Sequence, residues 1–183
     1  MQTDVIRAAG LSESRWLNGA GRKADIASGP GWLVGFAWLE RDAPFSDYAD
    51  HDRTITLLEG AGFSLALPEG ALLTVDRPGV PAAFNGAGPI ACGLRSGPCM
   101  VLNVITAYPA YSHTVQVLDA ADLMGLPPGR SGFLVVLQGA ITVGATTVGP
   151  RDTVRWTAAV NLRPSADARV AVIRIEPMGD DEI

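Results

Sequence analysis

The feature that most limits how this chain can fold is its punctuation: 21 glycines and 13 prolines stand in 183 residues, against a usual combined share of about 12%. They recur at short intervals between apolar runs, which leaves little room for helices and suits short strands joined by turns. "WLVGFAWLE" (32–40), "RTITLLEG" (53–60), "FSLAL" (63–67), "ALLTV" (71–75), "IACGL" (90–94), "CMVLNVITA" (99–107), "TVQVL" (114–118), "FLVVLQG" (133–139), "AITV" (140–143), "TVRW" (153–156) and "VAVIRI" (170–175) all have strand length and β-rich composition. The expectation is an all-β barrel or sandwich. "DAADLMGL" (119–126), with Asp119 as N-cap, is one of the few helix candidates.

A weak repeat organises these strands. "TITLLEGAGFSLAL" (54–67) and "LVVLQGAITVGATTV" (134–148) both run an apolar strand into Leu-Glu-Gly or Leu-Gln-Gly, at Gly60 and Gly139, and start a second strand at once. Two related β-units are expected, 1–110 and 111–183, packed as one compact domain. The segment 106–130, with Pro109 and the Pro127-Pro128-Gly129 turn, would connect them. A pattern that occurs twice favours two packed barrels or sandwiches over an open solenoid.

Composition excludes some functions. Apolar residues form 48% of the chain and charged residues 18%, as in an ordinary folded protein. A net charge of −5 with scattered Lys and Arg argues against direct nucleic-acid binding, which needs a basic face. No apolar run approaches the roughly 20 residues of a membrane span, and the first residues lack a signal-peptide core, so the reading is cytoplasmic with no membrane partner. Cys92 and Cys99 flank "GLRSGP" at a spacing that matches no zinc motif, and two buried or half-buried thiols are expected.

Several motifs carry no chemistry on close reading. Gly19-x-Gly21-x-x-Ala24 resembles a dinucleotide fingerprint, but no buried strand precedes it and Gly29-Pro30-Gly31 breaks any helix after it. It reads as a turn, with Asn18-Gly19 able to take positive φ and Gly21 permitting close approach. With His51 and His113 the sole histidines, a three-histidine metal site cannot be assembled. No G-x-S-x-G elbow or other nucleophile motif is present, so no catalytic residue, metal or cofactor is assigned. Glu40, Asp42, Asp47, Asp50, Asp52 and Glu59 crowd one stretch that reads as a solvated loop and strand end.

Arg53 is more informative. Strand alternation puts Arg53, Ile55 and Leu57 on one face and Thr54 and Thr56 on the other, so Arg53 points inward at the mouth if the apolar face is the interior. A guanidinium there needs an anion, either a nearby acid of the chain or a ligand carboxylate. Asn103 interrupts an otherwise apolar strand and must hydrogen-bond to backbone, water or ligand. Trp32, Val34, Phe36 and Trp38 form a stripe that reads as core, whereas Trp16 and Phe45 lie beside polar residues and could wall a pocket.

Trp16-x-Asn18-Gly19-x-Gly21, Pro44-Phe45-Ser46, Asp52-Arg53 leading into "TITLLEG", Phe84-x-Gly86 and Leu102-Asn103-Val104 occur in the order of the motifs of the HutD/Ves family, which the chain resembles. The resemblance implies a cupin-type bicupin, two small β-barrel or jelly-roll units in one chain. It also implies binding of a small metabolite and a moderating role in histidine utilisation. The chain departs from the family pattern at Ala20, Lys23 and Val101, the last standing where an aspartate is common. The resulting expectation is a non-catalytic protein that binds a small carboxylate-bearing metabolite. Arg53 would hold the carboxylate, Asn18, Ser46 and Asn103 would hydrogen-bond, and Trp16 and Phe45 would form apolar walls. The alternative is a small-molecule isomerase or hydrolase of the cupin type without a standard metal site. A homodimer is compatible with such a module.

Overall fold

The computed structural model describes residues 3–123, 131–158 and 160–179. In chain order its strands are β1 (Thr3–Ile6), β2 (Glu13–Arg15), β3 (Gly21–Gly29), β4 (Trp32–Leu39), β5 (Ala43–Pro44), β6 (His51–Glu59), β7 (Phe63–Ala66), β8 (Leu72–Val75), β9 (Pro81–Asn85), β10 (Ala91–Leu94), β11 (Cys99–Ala107) and β12 (Tyr111–Asp119). The short helix α1 (Ala120–Leu123) follows, then β13 (Gly132–Gln138), β14 (Ile141–Val143), β15 (Thr146–Val148), β16 (Thr153–Trp156), β17 (Leu162–Pro164) and β18 (Arg169–Pro177). Each strand run read from the sequence falls on one of these strands. The rest of the helix candidate and the Pro127-Pro128-Gly129 turn lie outside the described residues. Strand β3 was not expected, because Arg22, Lys23 and Asp25 hide its alternation, yet it pairs with β4 from Gly21 to Gly29 with a bulge between Asp25 and Ala27.

The chain divides into two compact units. One comprises Ser12–His113 and resumes at Glu176; the other joins the residues up to Leu11 to Thr114–Ile175. In the first, a six-stranded sheet of order β2-β3-β4-β11-β6-β9 accompanies a four-stranded sheet of order β5-β10-β7-β8. Alternate residues of the large sheet (Ala37, Leu39, Ile55, Leu57, Val101) and of the small one (Phe63, Leu65, Val75, Cys92) form one core. Fully burying a side chain of this size contributes roughly 1.5–3 kcal/mol. Cys92 and Cys99 are both free and buried.

The second unit repeats the scheme with a five-stranded sheet, β1-β16-β13-β18-β12, and a three-stranded one, β15-β14-β17. Leu134, Val136, Val154, Trp156, Val170 and Val172 meet Ile141 and Val148 in its core. The N-terminal residues join this unit because β1 pairs with β16 from Thr3 to Ile6. Asp152 reinforces that attachment by accepting hydrogen bonds from the Ala8 amide (3.0 Å) and the Arg7 guanidinium (2.7 Å). In both units the strand that ends at the repeated glycine lies in the larger sheet and the next strand lies in the smaller. Gly60 and Gly139 take φ of +101° and +68° at that crossing, a conformation that favours glycine.

Candidate ligand-binding site

The site grows out of the β2–β3 hairpin and the loop after β5. Gly19 donates to the Trp16 carbonyl (2.9 Å) and Trp16 to the Gly21 carbonyl (3.0 Å), closing a tight turn. Asn18 Oδ1 accepts from the Ala20 amide (3.0 Å), and its Nδ2 donates to the Pro44 carbonyl (3.3 Å). A Cβ at Gly21 would lie 2.2 Å from the Trp38 carbonyl oxygen, so the second glycine serves the approach of neighbouring backbone. The glycine run thus opens a strand rather than a helix. The loop carrying Phe45, Ser46 and Tyr48 is held by Phe45 N–H to the Ile90 carbonyl (2.8 Å) and Tyr48 N–H to the Gly86 carbonyl (3.0 Å). Asp47 also accepts from the Gly88 amide (3.0 Å).

These elements and the face of the large sheet bound a cavity of about 340 Å³. Trp16, Asn18, Phe45, Ser46, Arg53 and Asn103 all line it. Trp16 meets Phe45 edge-on at 6.0 Å between ring centroids. Asn18 has its amide engaged in the turn, so it positions the hairpin, while Ser46 is exposed at the rim. Leu33, Gly35, Ala37 and Ile105 supply the floor, and Lys23, Asp25 and Tyr48 also line the space. Sequence patterns named none of these seven as a lining residue. Alternation does put Leu33, Gly35 and Ala37 on one face of β4, opposite the aromatic stripe, but which face meets the cavity depends on the pairing of β4 with β3 and β11. From the stripe, Phe36 also reaches the lining.

Arg53 dominates the electrostatics. It is 5% exposed, and among the described residues it has no ion pair with any carboxylate. The acids that could have supplied one turn elsewhere: Asp42 accepts from the Leu94 amide and Asp47 from that of Gly88. The hydrogen bond of the Arg53 side chain runs from Nη2 to Asn103 Oδ1 at 3.5 Å, the long limit for such a bond. Nε and Nη1 have no partner. The guanidinium instead sits 5.0 Å from the Phe45 ring and 5.2 Å from each of the Tyr48 and Phe84 rings. Burial lowers its pKa from 12.5 to about 10, with nearby Tyr48 acting in the opposite direction. It is therefore a cation at neutral pH in an apolar setting.

On the other face of the same strands, His113 is fastened between two hydroxyls, Thr54 Oγ1 at 2.8 Å from Nε2 and Thr106 Oγ1 at 2.7 Å from Nδ1. Burial pushes its pKa below 6.5, against the nearby charge of Asp52. His51 is bonded through Nδ1 to the Ala49 carbonyl at 2.7 Å. Val101, which stands where the family pattern commonly has an aspartate, is fully buried in the apolar core and does not line the cavity.

The family model for HutD matches residues 8–173. The chain is 30% identical over 131 residues to an uncharacterized 21.2 kDa protein in the hutC 3′ region of Pseudomonas putida, covering 66% of this chain and 67% of that protein. It is 28% identical over 147 residues to protein Ves of Cronobacter sakazakii, covering 77% and 80% of the two chains. Among solved structures, HutD from Pseudomonas fluorescens superposes with a TM-score of 0.82 at 23% identity, over 97% of this chain and all 100% of that one. A cupin 2 conserved barrel domain protein from Leptotrichia buccalis shares the fold at a TM-score of 0.55 and 12% identity, over 92% and 90%. With an all-β fold of cupin type and a family match spanning nearly its whole length, the chain belongs to the HutD family.

Proposed function

We propose that this protein binds a small carboxylate-bearing metabolite in the cavity over Arg53, without turning it over, and that this binding modulates histidine utilisation. The supporting observation is a buried guanidinium with no carboxylate partner among the described residues and two nitrogens without hydrogen bonds. Burying a cation unpaired is costly, and an arginine fork suits a carboxylate. Asn103, whose amide nitrogen makes no hydrogen bond among the described residues, stands beside Arg53 as a second donor. Trp16 and Phe45 would cover the apolar part of the ligand, with Ser46 at the rim. The tie to histidine utilisation rests on the family and on the relative in the hutC 3′ region.

Calorimetric titration with urocanate, N-formylglutamate, formiminoglutamate and glutamate, run beside Arg53→Ala, tests this reading. Saturable binding of one compound, unaccompanied by turnover and lost in the variant, is the expected result. Affinity that stays within about twofold in Arg53→Ala, or silence from all four compounds, would remove the clamp. Turnover of any of them would favour a cupin-type enzyme instead.

A further inference from the structure

The cavity has a second polar end, made by Lys23 and Asp25 of β3. Lys23 Nζ reaches both carboxylate oxygens of Asp25, at 3.1 and 3.0 Å, and both residues line the cavity. Their place relative to Arg53 follows from strand register. Asp25 pairs with Gly35, and Gly35 pairs with Asn103, so the three form one row across β3, β4 and β11. Asp25 and Asn103 are thus two strand spacings apart, about 10 Å. The residue between them is a glycine, with no side chain to divide the space. In the next row, Lys23 pairs with Ala37, again a small side chain.

We propose that the Lys23–Asp25 pair is a second recognition point, which reads an α-amino carboxylate head while Arg53 and Asn103 hold a distal carboxylate. The inference rests on the carboxylate-binding reading above and narrows it to α-amino dicarboxylates. Charge supports the choice. Lys23 and Asp25 neutralise each other, Arg15, which also lines the cavity, is paired with Glu40 at 2.9 Å, and Arg53 leaves one positive charge in excess. A ligand with a zwitterionic head and one further carboxylate carries net −1 and cancels that excess, whereas a plain dicarboxylate carries net −2 and overshoots. The head group also reproduces the existing pair: its ammonium replaces the lysine on Asp25, and its carboxylate replaces the aspartate on Lys23.

The test uses matched probes, L-glutamate against glutarate and L-2-aminoadipate against adipate, titrated into wild type, Asp25→Asn, Lys23→Met and Arg53→Met. In wild type the amino member of at least one pair binds about tenfold tighter than its deamino partner. Asp25→Asn brings that ratio to one or below, because the amino member loses its ammonium partner while the freed Lys23 leaves the deamino affinity unchanged or higher. Lys23→Met weakens the deamino member at least as much as the amino member, so the ratio stays at or above its wild-type value, and Arg53→Met abolishes binding of both. A wild-type ratio near one, or a ratio that Asp25→Asn leaves in place, overturns the second recognition point while the Arg53 reading stands. Absence of binding by all four probes in wild type overturns this inference and leaves the carboxylate reading to the four compounds named above, whereas binding that survives Arg53→Met unchanged overturns both.

Discussion

Arg53 in β6 and Gly132 in β13 stand the same distance before the glycines that end their strands, Gly60 and Gly139. The positions that follow them match as well: Ile55 and Leu57 enter the core of one unit, Leu134 and Val136 the core of the other. Cross-strand partners extend the correspondence. Ile55 pairs with Asn103 where Leu134 pairs with Val172, and Arg53 pairs with Phe84 where Gly132 pairs with Trp156. At Gly132 a Cβ would lie 2.7 Å from the Ile173 carbonyl oxygen and 2.9 Å from the Trp156 ring, so no side chain fits. One unit fills this end of its interior with an indole and a valine. Its counterpart leaves a cavity of about 340 Å³ and sets a guanidinium and an amide against it. Since the same strand arrangement closes with apolar residues alone, Arg53 and Asn103 are not there because the fold requires polar groups at those positions.

Three perturbations would sharpen or break this contrast. The largest effect belongs to Trp156→Ala, which empties a packed site and costs about 3–5 kcal/mol in urea unfolding. Phe45→Ala, whose ring already borders open space, costs clearly less. Equal costs would mean that the two interiors are filled alike. An intermediate effect is expected from Asn103→Val, which copies Val172. Alone it destabilises by about 1 kcal/mol, because it strips the guanidinium of its hydrogen bond. In an Arg53→Met background the same change is neutral or stabilising, and a double-mutant cycle reads the change of sign.

The smallest effect is pH dependence. The folded pKa of His113 lies below 6.5, so in acid the unfolded chain takes up a proton that the folded one resists. Its contribution to stability is complete above pH 6.5 and is lost as pH falls from there through the lowered folded pKa. Unfolding midpoints should decline over that range in wild type and decline less in His113→Gln.

Much of the fold was legible because its signals are local. Glycine and proline mark the turns, β-rich runs mark the strands, and the paired Leu-Glu-Gly and Leu-Gln-Gly endings mark the crossings between sheets. The inward orientation of Arg53 followed from alternation alone. Strand β3 was hidden because its charged residues lie at the cavity and on solvent, which breaks the apolar pattern of a buried strand. That omission also concealed Lys23 and Asp25, whose meeting with Asn103 depends on two successive strand registers. The pairing of β1 with β16 was equally out of reach, since it joins residues more than a hundred positions apart. The carboxylate cluster around β6 pointed to an internal partner for Arg53, but Asp42 and Asp47 accept from backbone amides and Glu40 pairs with Arg15 and Arg22.

Arg53 is kept at a cost to the fold. The shift of its pKa from 12.5 to about 10 corresponds to a penalty on the order of 3 kcal/mol. Contacts with three aromatic rings return roughly 2 kcal/mol of that. The most direct test is thermal unfolding of Arg53→Met against wild type, without ligand and with the best-binding carboxylate. The account predicts that the unliganded variant melts higher, by about 2–4 °C for a gain near 1 kcal/mol, and that ligand raises the melting temperature of wild type alone. An unliganded variant that melts below wild type would show that Arg53 holds the fold together, contradicting the account.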